Sequence, residues 1–162
     1  MMHALILGPL LVVAIVANGL LAGLFFVFSI AISPGLRRVD DGTYVQAFQA
    51  INAAILNGRF LTVFFVAPIA AVVCVVLHIS RGDSASLTSL VAGAVCSALT
   101  FGITAARNVP LNQELDSAPI DTEYQRRIAR HRFEKRWNRG NLARTGTSIG
   151  AFIFLAGASV AG

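Results

Sequence analysis

The side chains best suited to chemistry in this sequence are carboxamides and guanidiniums: Gln49, Asn52, Asn57, Arg107, Asn108, Asn112, Asn138, Asn141 and Arg144. A carboxamide offers donors and acceptors without ionising, and an arginine offers a fixed fork of donors to a phenolate, carboxylate or phosphate. Together such groups bind, orient and stabilise anions. Capping of helix ends and contact with lipid headgroups are the competing uses of the same groups. The sequence carries no phosphate-cradling glycine loop, nucleophile elbow or convincing carboxylate pair, and no His/Cys/carboxylate grouping with metal-ligand spacing. Cys74 and Cys96 read as small apolar fillers rather than a redox pair. His131, among Arg130, Arg132 and Arg136, reads as a solvated or lipid-facing histidine, with a neutral base as the alternative.

Those polar groups must be positioned by very apolar elements. Of 162 residues, 56% are hydrophobic and 13% charged, and the mean hydropathy is +0.70, too apolar for a soluble domain with an ordinary surface. A hydrocarbon layer about 30 Å thick needs roughly 20 apolar residues per helical crossing. Four stretches qualify, near residues 5–32, 60–79, 86–106 and 142–161. The expected fold is thus an all-α membrane protein: one domain over residues 1–162, a four-transmembrane-helix bundle with an amphipathic helix after the first span and a long basic connection before the last.

A net charge of +5 would suggest nucleic acid in a soluble protein; here the basic residues crowd the segments between spans, and membrane topology accounts for them. Positive residues favour the cytoplasmic side. Arg37, Arg38 and Arg59 in the first connection, and most of the remainder between Arg107 and Arg144, place both of those connections in the cytoplasm. The short connection with Arg81 and Asp83 then lies outside, as do both termini, and His3 and His78 lie far from the polar set. The leading apolar run lacks a basic start and is too long for a secretory signal, so it is expected to be a retained helix of a multi-pass cell-membrane protein.

Pro34 is expected to end the first span. Tyr44, Phe48, Ile51 and Ile55 then form an apolar stripe over 44–56, with Gln46, Gln49 and Asn52 on another side, capped near Asp40, Asp41 and Thr43. This helix lies along the interface or folds back on the bundle. Pro110 and Pro119 are expected to break the long connection before a basic helix over 122–137. In that helix Glu123 with Arg127 and Arg130 with Glu134 have ion-pair spacing, but the apolar stripe drifts, so it breaks midway or is gripped on two sides. Asn18, in the middle of the first span, is expected to hydrogen-bond across helices. Gly19 with Gly23, and Gly146 with Gly150, have the spacing that lets helices approach closely, within one subunit or in a homo-oligomer.

Five ordered segments carry a family resemblance over nearly the whole chain. They are Gly23-Leu24-Phe25-Phe26-Val27-Phe28-Ser29 leading to Pro34-Gly35-Leu36; Phe48-Gln49-Ala50-Ile51-Asn52 with Ile55-Leu56-Asn57; Asn108-Val109-Pro110-Leu111-Asn112; Phe133-Glu134-Lys135-Arg136-Trp137-Asn138; and Arg144-Thr145. The chain resembles the small membrane proteins grouped with anthrone oxygenases. The resemblance implies a four-helix membrane fold and, for some members, oxygenation of an anthrone's activated methylene to an anthraquinone without a conventional cofactor. It further implies that Arg144 and Asn108 hold the oxyanion of an enolate. Asn52, Asn112 and Asn138 would orient polar edges, Trp137 would stack on the ring system, and Gln49 is expected among the substrate-binding residues. The chain departs from the family pattern at Gly140, where many members carry a second tryptophan, and at Leu142, where histidine is frequent.

The function expected is therefore oxygenase-like action on a hydrophobic aromatic, anthrone- or quinol-like molecule. No cofactor is called for; a metal or quinone stays open. Membrane lipids and the aromatic molecule are the expected partners, and nucleic acid is not. The rival readings are a non-catalytic membrane subunit that binds lipid or a partner through its basic connection, and a small-molecule carrier. The lack of an ionisable residue near the centre of any span argues against a proton-coupled transporter or ion pump.

Overall fold

A computed structural model describes residues 2–79 and 84–161, so Arg81 and Asp83 of the expected outer connection, and the side chain of His3, lie outside the described part. The elements are α1 (Met2–Val27), a π-helical turn (Phe28–Ile32), α2 (Ser33–Leu36), α3 (Asp41–Ile55), α4 (Gly58–His78), α5 (Ser84–Ile103), a second π-helical turn (Thr104–Asn108), α6 (Val109–Asp116) and α7 (Glu123–Ala161). The chain is all-helical among the described residues. Three stretches are long and apolar enough to cross a membrane: Ile6–Leu36, Gly58–His78 and Ala85–Asp116. α1 packs on α4 and α7, and α5 packs on the same two helices from the other side.

Two prolines behave differently from expectation. Pro34 and Pro110 lack a backbone N–H, and in a regular α-helix each ring would strike the carbonyl four residues earlier. The chain widens instead into π turns, in which the Ser33 N–H bonds Phe28 O and the Val109 N–H bonds Thr104 O. The first apolar run thus continues to Leu36, and the third passes Pro110 to Asp116, well beyond the expected end near residue 106. Pro119 does fall in a non-helical bend.

The long connection is corrected further. The helix expected over 122–137 and the last apolar stretch, expected over 142–161, are one uninterrupted helix of 39 residues. No proline interrupts it. It is gripped chiefly on the Ala129, Phe133 and Trp137 face, while Tyr124 on the other face is exposed. The Arg130–Glu134 ion pair forms at 2.8 Å; Glu123 and Arg127 form none among the described residues.

The amphipathic helix, α3, is capped by Asp40, whose carboxylate accepts from the Thr43 N–H and hydroxyl at 3.0 and 2.6 Å. Those bonds hold the Asp40 pKa below its ordinary value. The helix folds back onto α6 and α7, burying Tyr44, Val45, Phe48 and Asn52. Arg130 ties it down: its guanidinium reaches Asp41 Oδ1 at 3.0 Å, the carbonyls of Val39 and Arg37 at 2.9 and 3.1 Å, and Glu134 Oε2. It also lies 4.5 Å over the Tyr44 ring. Burial works against this charge, but hydrogen bonds and attraction from Glu134 and Asp41 outweigh it and raise the Arg130 pKa.

Away from that end the core is built from small residues. Ala14, Ala70, Ala71, Cys74 and Ala94 are buried with Leu90 and Leu155. A Cβ on Gly93 would sit 2.8 Å from Leu155 Cγ, so glycine there sets the closeness of α5 and α7. Gly19 faces Phe152 and Gly150 faces Cys96, contacts within one chain, whereas Gly23 and Gly146 have nothing within 4 Å. Asn18 does pair as expected, its Nδ2 donating to Ala14 O at 2.9 Å and across to Ala67 O of α4 at 3.4 Å.

Candidate functional site

Along α7 the buried residues recur at three and four positions and so share one face, but their chemistry changes in three tiers. Ala129, Phe133 and Trp137 come first; then Asn141, Arg144, Thr145 and Ser148; then Ala151, Leu155 and Ala158. The aromatic tier is a packed cluster in which Trp137 lies 4.8 Å from Phe48, 5.4 Å from Phe28 and 6.0 Å from Phe133, between ring centroids. The polar tier sits directly above it, beside both π turns, whose irregular backbone is a frequent accompaniment of functional sites.

Arg144 is the centre of that tier. It is 7% exposed, and its guanidinium carbon lies 4.2 Å from the Phe25 ring centroid and 4.9 Å from that of Trp137. Its Nε donates to Asn141 Oδ1 at 3.1 Å. Neither terminal nitrogen has a hydrogen-bond or carboxylate partner among the described residues. Burying an ion without a counter-ion costs several kcal/mol, and two cation–π contacts return roughly 1–2 kcal/mol each when desolvated. The remaining deficit is what an anionic ligand would relieve.

The guanidinium is held by a chain of neutral groups. Asn141, 1% exposed, accepts from Arg144 while its Nδ2 donates to Phe25 O at 3.0 Å and Ser29 Oγ at 2.8 Å. Ser29 and Thr145 hydroxyls meet at 3.2 Å. Asn141 thereby joins α7 to the last turn of α1, where the first π turn begins.

Several expected site residues converge on Trp137. Asn112 Oδ1 accepts from its Nε1 at 2.8 Å, and Asn108 Nδ2 donates to its carbonyl at 3.3 Å. Asn108 is fully buried with Oδ1 unpartnered. Asn52, one turn beyond Phe48 on the same face of α3, and Asn138, beside Trp137, each have an unpartnered buried Nδ2. The Trp137 ring is 2% exposed and enclosed by Phe28, Phe48, Phe133 and Arg144, so stacking on a ligand requires one of these to move. Gln49 is turned away, donating to Leu115 O of α6 at 3.0 Å. Asn57 caps α4 through Phe60 N at 3.0 Å; Asn57, Arg107 and His131 are exposed and take no part in this tier.

The two departures from the family pattern have structural counterparts. A Cβ at Gly140 would lie 2.5 Å from Asn108 Oδ1, so the space of a side chain there is filled by the Asn108 carboxamide. Leu142 is exposed, facing away from the site. The residues that sequence reasoning passed over are Asn141 as the anchor of Arg144, and Phe25, Ser29 and Thr145 around it. The available signal was polar residues at 141, 144, 145 and 148 on one face of an otherwise apolar helix. Among the described residues no three His, Cys, Asp or Glu side chains come together.

A separate groove of about 330 Å³ opens between α6, the bend after it and the first turns of α7, with Phe133 in its wall. None of the expected site residues lines it.

Fold and site together define a multi-pass membrane protein, all-helical among the described residues, with a buried arginine that has no carboxylate partner among those residues beside an aromatic cluster. Residues 57–154, more than half of the chain, match the sequence profile of the anthrone oxygenase family, and the chain belongs to that family. The match spans α4 to α7 and includes Asn108, Asn112, Trp137, Asn138 and Arg144. No curated protein and no solved structure gives a significant match.

Proposed function

We propose that this protein is a membrane-embedded oxygenase for a hydrophobic aromatic molecule with an activated methylene or hydroquinone, anthrone- or quinol-like, and that Arg144 holds the ionised form of that molecule. The observation that carries this reading is the buried Arg144 guanidinium, which has no acidic partner among the described residues. The membrane supplies such a substrate by partition, and the family supplies the reaction class.

The chemistry needs only the substrate and dioxygen. Loss of a methylene proton to water gives an enolate, whose oxygen takes the place of the missing counter-ion at Arg144. The electron-rich carbon then adds to dioxygen, the peroxide anion so formed takes a proton back from water, and the resulting hydroperoxide loses water. A CH₂ group and O₂ thus become a C=O group and H₂O, with the substrate oxidised and dioxygen reduced. A fixed cation in a largely buried site favours the enolate more than water does. Asn108 assists by turning its carboxamide from the weak bond to Trp137 O, while Asn52 and Asn138 offer spare donors to polar edges. Gln49 and Asn112 act at one remove, fixing α3 on α6 and the indole of Trp137.

In this reading the second half of α7 is the fourth span. Arg144, Thr145, Thr147 and Ser148 lower its hydropathy, but they face inward or sideways, while Ile153, Phe154 and Val160 are exposed as befits contact with lipid. Both long connections then face the cytoplasm and both termini the outside.

Oxygen uptake with anthrone by protein in lipid nanodiscs tests the reading. Arg144→Met should lose at least about 100-fold in rate, the scale of removing an oxyanion donor. Full activity in that variant would remove Arg144 from the site.

A further inference from the structure

The groove between α6 and α7 is lined by none of the polar groups around Arg144 and shares Ala129 and Phe133 with the aromatic tier. Its depth is apolar: Leu115, Ala129 and Phe133 are nearly fully buried, and Ile128 and Pro119 widen the wall. Its rim is polar, with the Gln125 amide and the Arg132 guanidinium. Arg132 is exposed and makes no ion pair among the described residues. Glu114, on the same rim, is turned to Arg136 at 3.3 Å. A volume of about 330 Å³ falls at the small end of the range for small-molecule sites, which suits two or three fused rings. Tyr124, also on the rim, is 64% exposed, with the Arg127 guanidinium carbon 5.6 Å from its ring centroid.

We infer that this groove is a second binding site, for a flat aromatic molecule carrying one negative charge, with the rings against Phe133 and Ala129 and the anion on Arg132. The floor is the outer side of the aromatic cluster whose inner side holds Arg144: Phe133 lines the groove and lies 6.0 Å from Trp137. A ligand here is separated from Arg144 by the Phe133 and Trp137 rings and lies at the Asp116 end of the third apolar stretch, against the connection to α7. It is therefore placed to collect an acidic aromatic from the water side, or to hold one on its way out. Occupancy does not depend on turnover at Arg144.

Trp137 is the only tryptophan in the chain, and its closeness to Phe133 makes it a built-in donor for energy transfer to a bound acceptor. The experiment is titration of the protein, in uncharged phosphatidylcholine nanodiscs, with anthracene-2-carboxylate and with neutral 2-(hydroxymethyl)anthracene. Wild type should transfer energy saturably to the carboxylate. Arg132→Glu, a change at an exposed position, should weaken carboxylate binding by about tenfold or more and leave the neutral compound almost unaffected. Ala129→Phe, which fills the groove, should weaken both. Arg144→Met should keep this binding even if it abolishes oxygen uptake, which separates failure at the groove from failure at Arg144. Carboxylate binding that is unchanged in Arg132→Glu and Ala129→Phe, or lost only in Arg144→Met, would overturn the assignment.

Discussion

Two arginines on one helix, fourteen residues apart, show the division of labour in this molecule. Arg130 has two carboxylates, two backbone carbonyls and a tyrosine ring around it. Arg144 is more deeply buried, yet it has one neutral acceptor and two rings. The satisfied charge sits where the chain needs a fastening, between the first connection, α3 and α7. The unsatisfied one sits between two π turns, beside the aromatic cluster, where nothing in the fold requires a cation. That contrast is the ground on which Arg144 is proposed to bind an anion.

Substitutions at the two positions should therefore have opposite signatures. The largest effect is at Arg144: Arg144→Met should lose activity as above, while thermal unfolding in detergent shows unchanged or raised stability, because an apolar side chain of similar length replaces an unpaired buried charge. A large loss of stability would make Arg144 structural and erase the contrast. Arg130→Met should do the reverse, losing about 2–3 kcal/mol through stranded Asp41, Glu134 and carbonyl partners, with α3 amides becoming the first to exchange hydrogen. Unchanged exchange in α3 would mean that its apolar face alone holds it.

Smaller effects sharpen the same comparison. Asn141→Ala strands Arg144 Nε and frees Ser29 Oγ, and should destabilise by about 1–2 kcal/mol while weakening ligand binding less than Arg144→Met does. Tyr44 packs under Arg130, but its hydroxyl is buried without a partner, and desolvation, then repulsion from Glu134, push its pKa above the ordinary value. A raised phenol pKa means that the unfolded chain releases its proton first, so this group erodes stability as pH rises above about 10, the ordinary phenol value. Tyr44→Phe should gain up to about 1 kcal/mol at neutral pH and flatten that alkaline loss. Identical alkaline unfolding curves would show that the hydroxyl reaches solvent.

The sequence made the apolar runs and the polar set legible, because both are written in residue type. Continuity was harder to read: Pro34 and Pro110 looked like ends, and π turns carried the helices through them. The drift of the stripe in α7, which left a break or a grip on two sides open, arises because the covering elements change, from α3 and α6 at one end to α1 and α5 at the other. Within the polar set, residue type could not distinguish Asn57, an exposed cap, from Asn108, a buried amide against Gly140. Nor could spacing show that Asn141 spends its amide on Phe25 and Ser29, since that pairing joins residues more than a hundred positions apart. Partners, rather than positions, were what the fold had to supply.

The most direct test of Arg144 as an anion receptor is the ionisation of bound anthrone, followed by absorbance under anaerobic conditions in wild type and in Arg144→Met. A counter-ion role predicts that wild type lowers the pKa of the bound molecule by at least about one unit, a tenfold preference for the enolate, and that the variant abolishes the shift. The same bound pKa in both proteins would contradict the account.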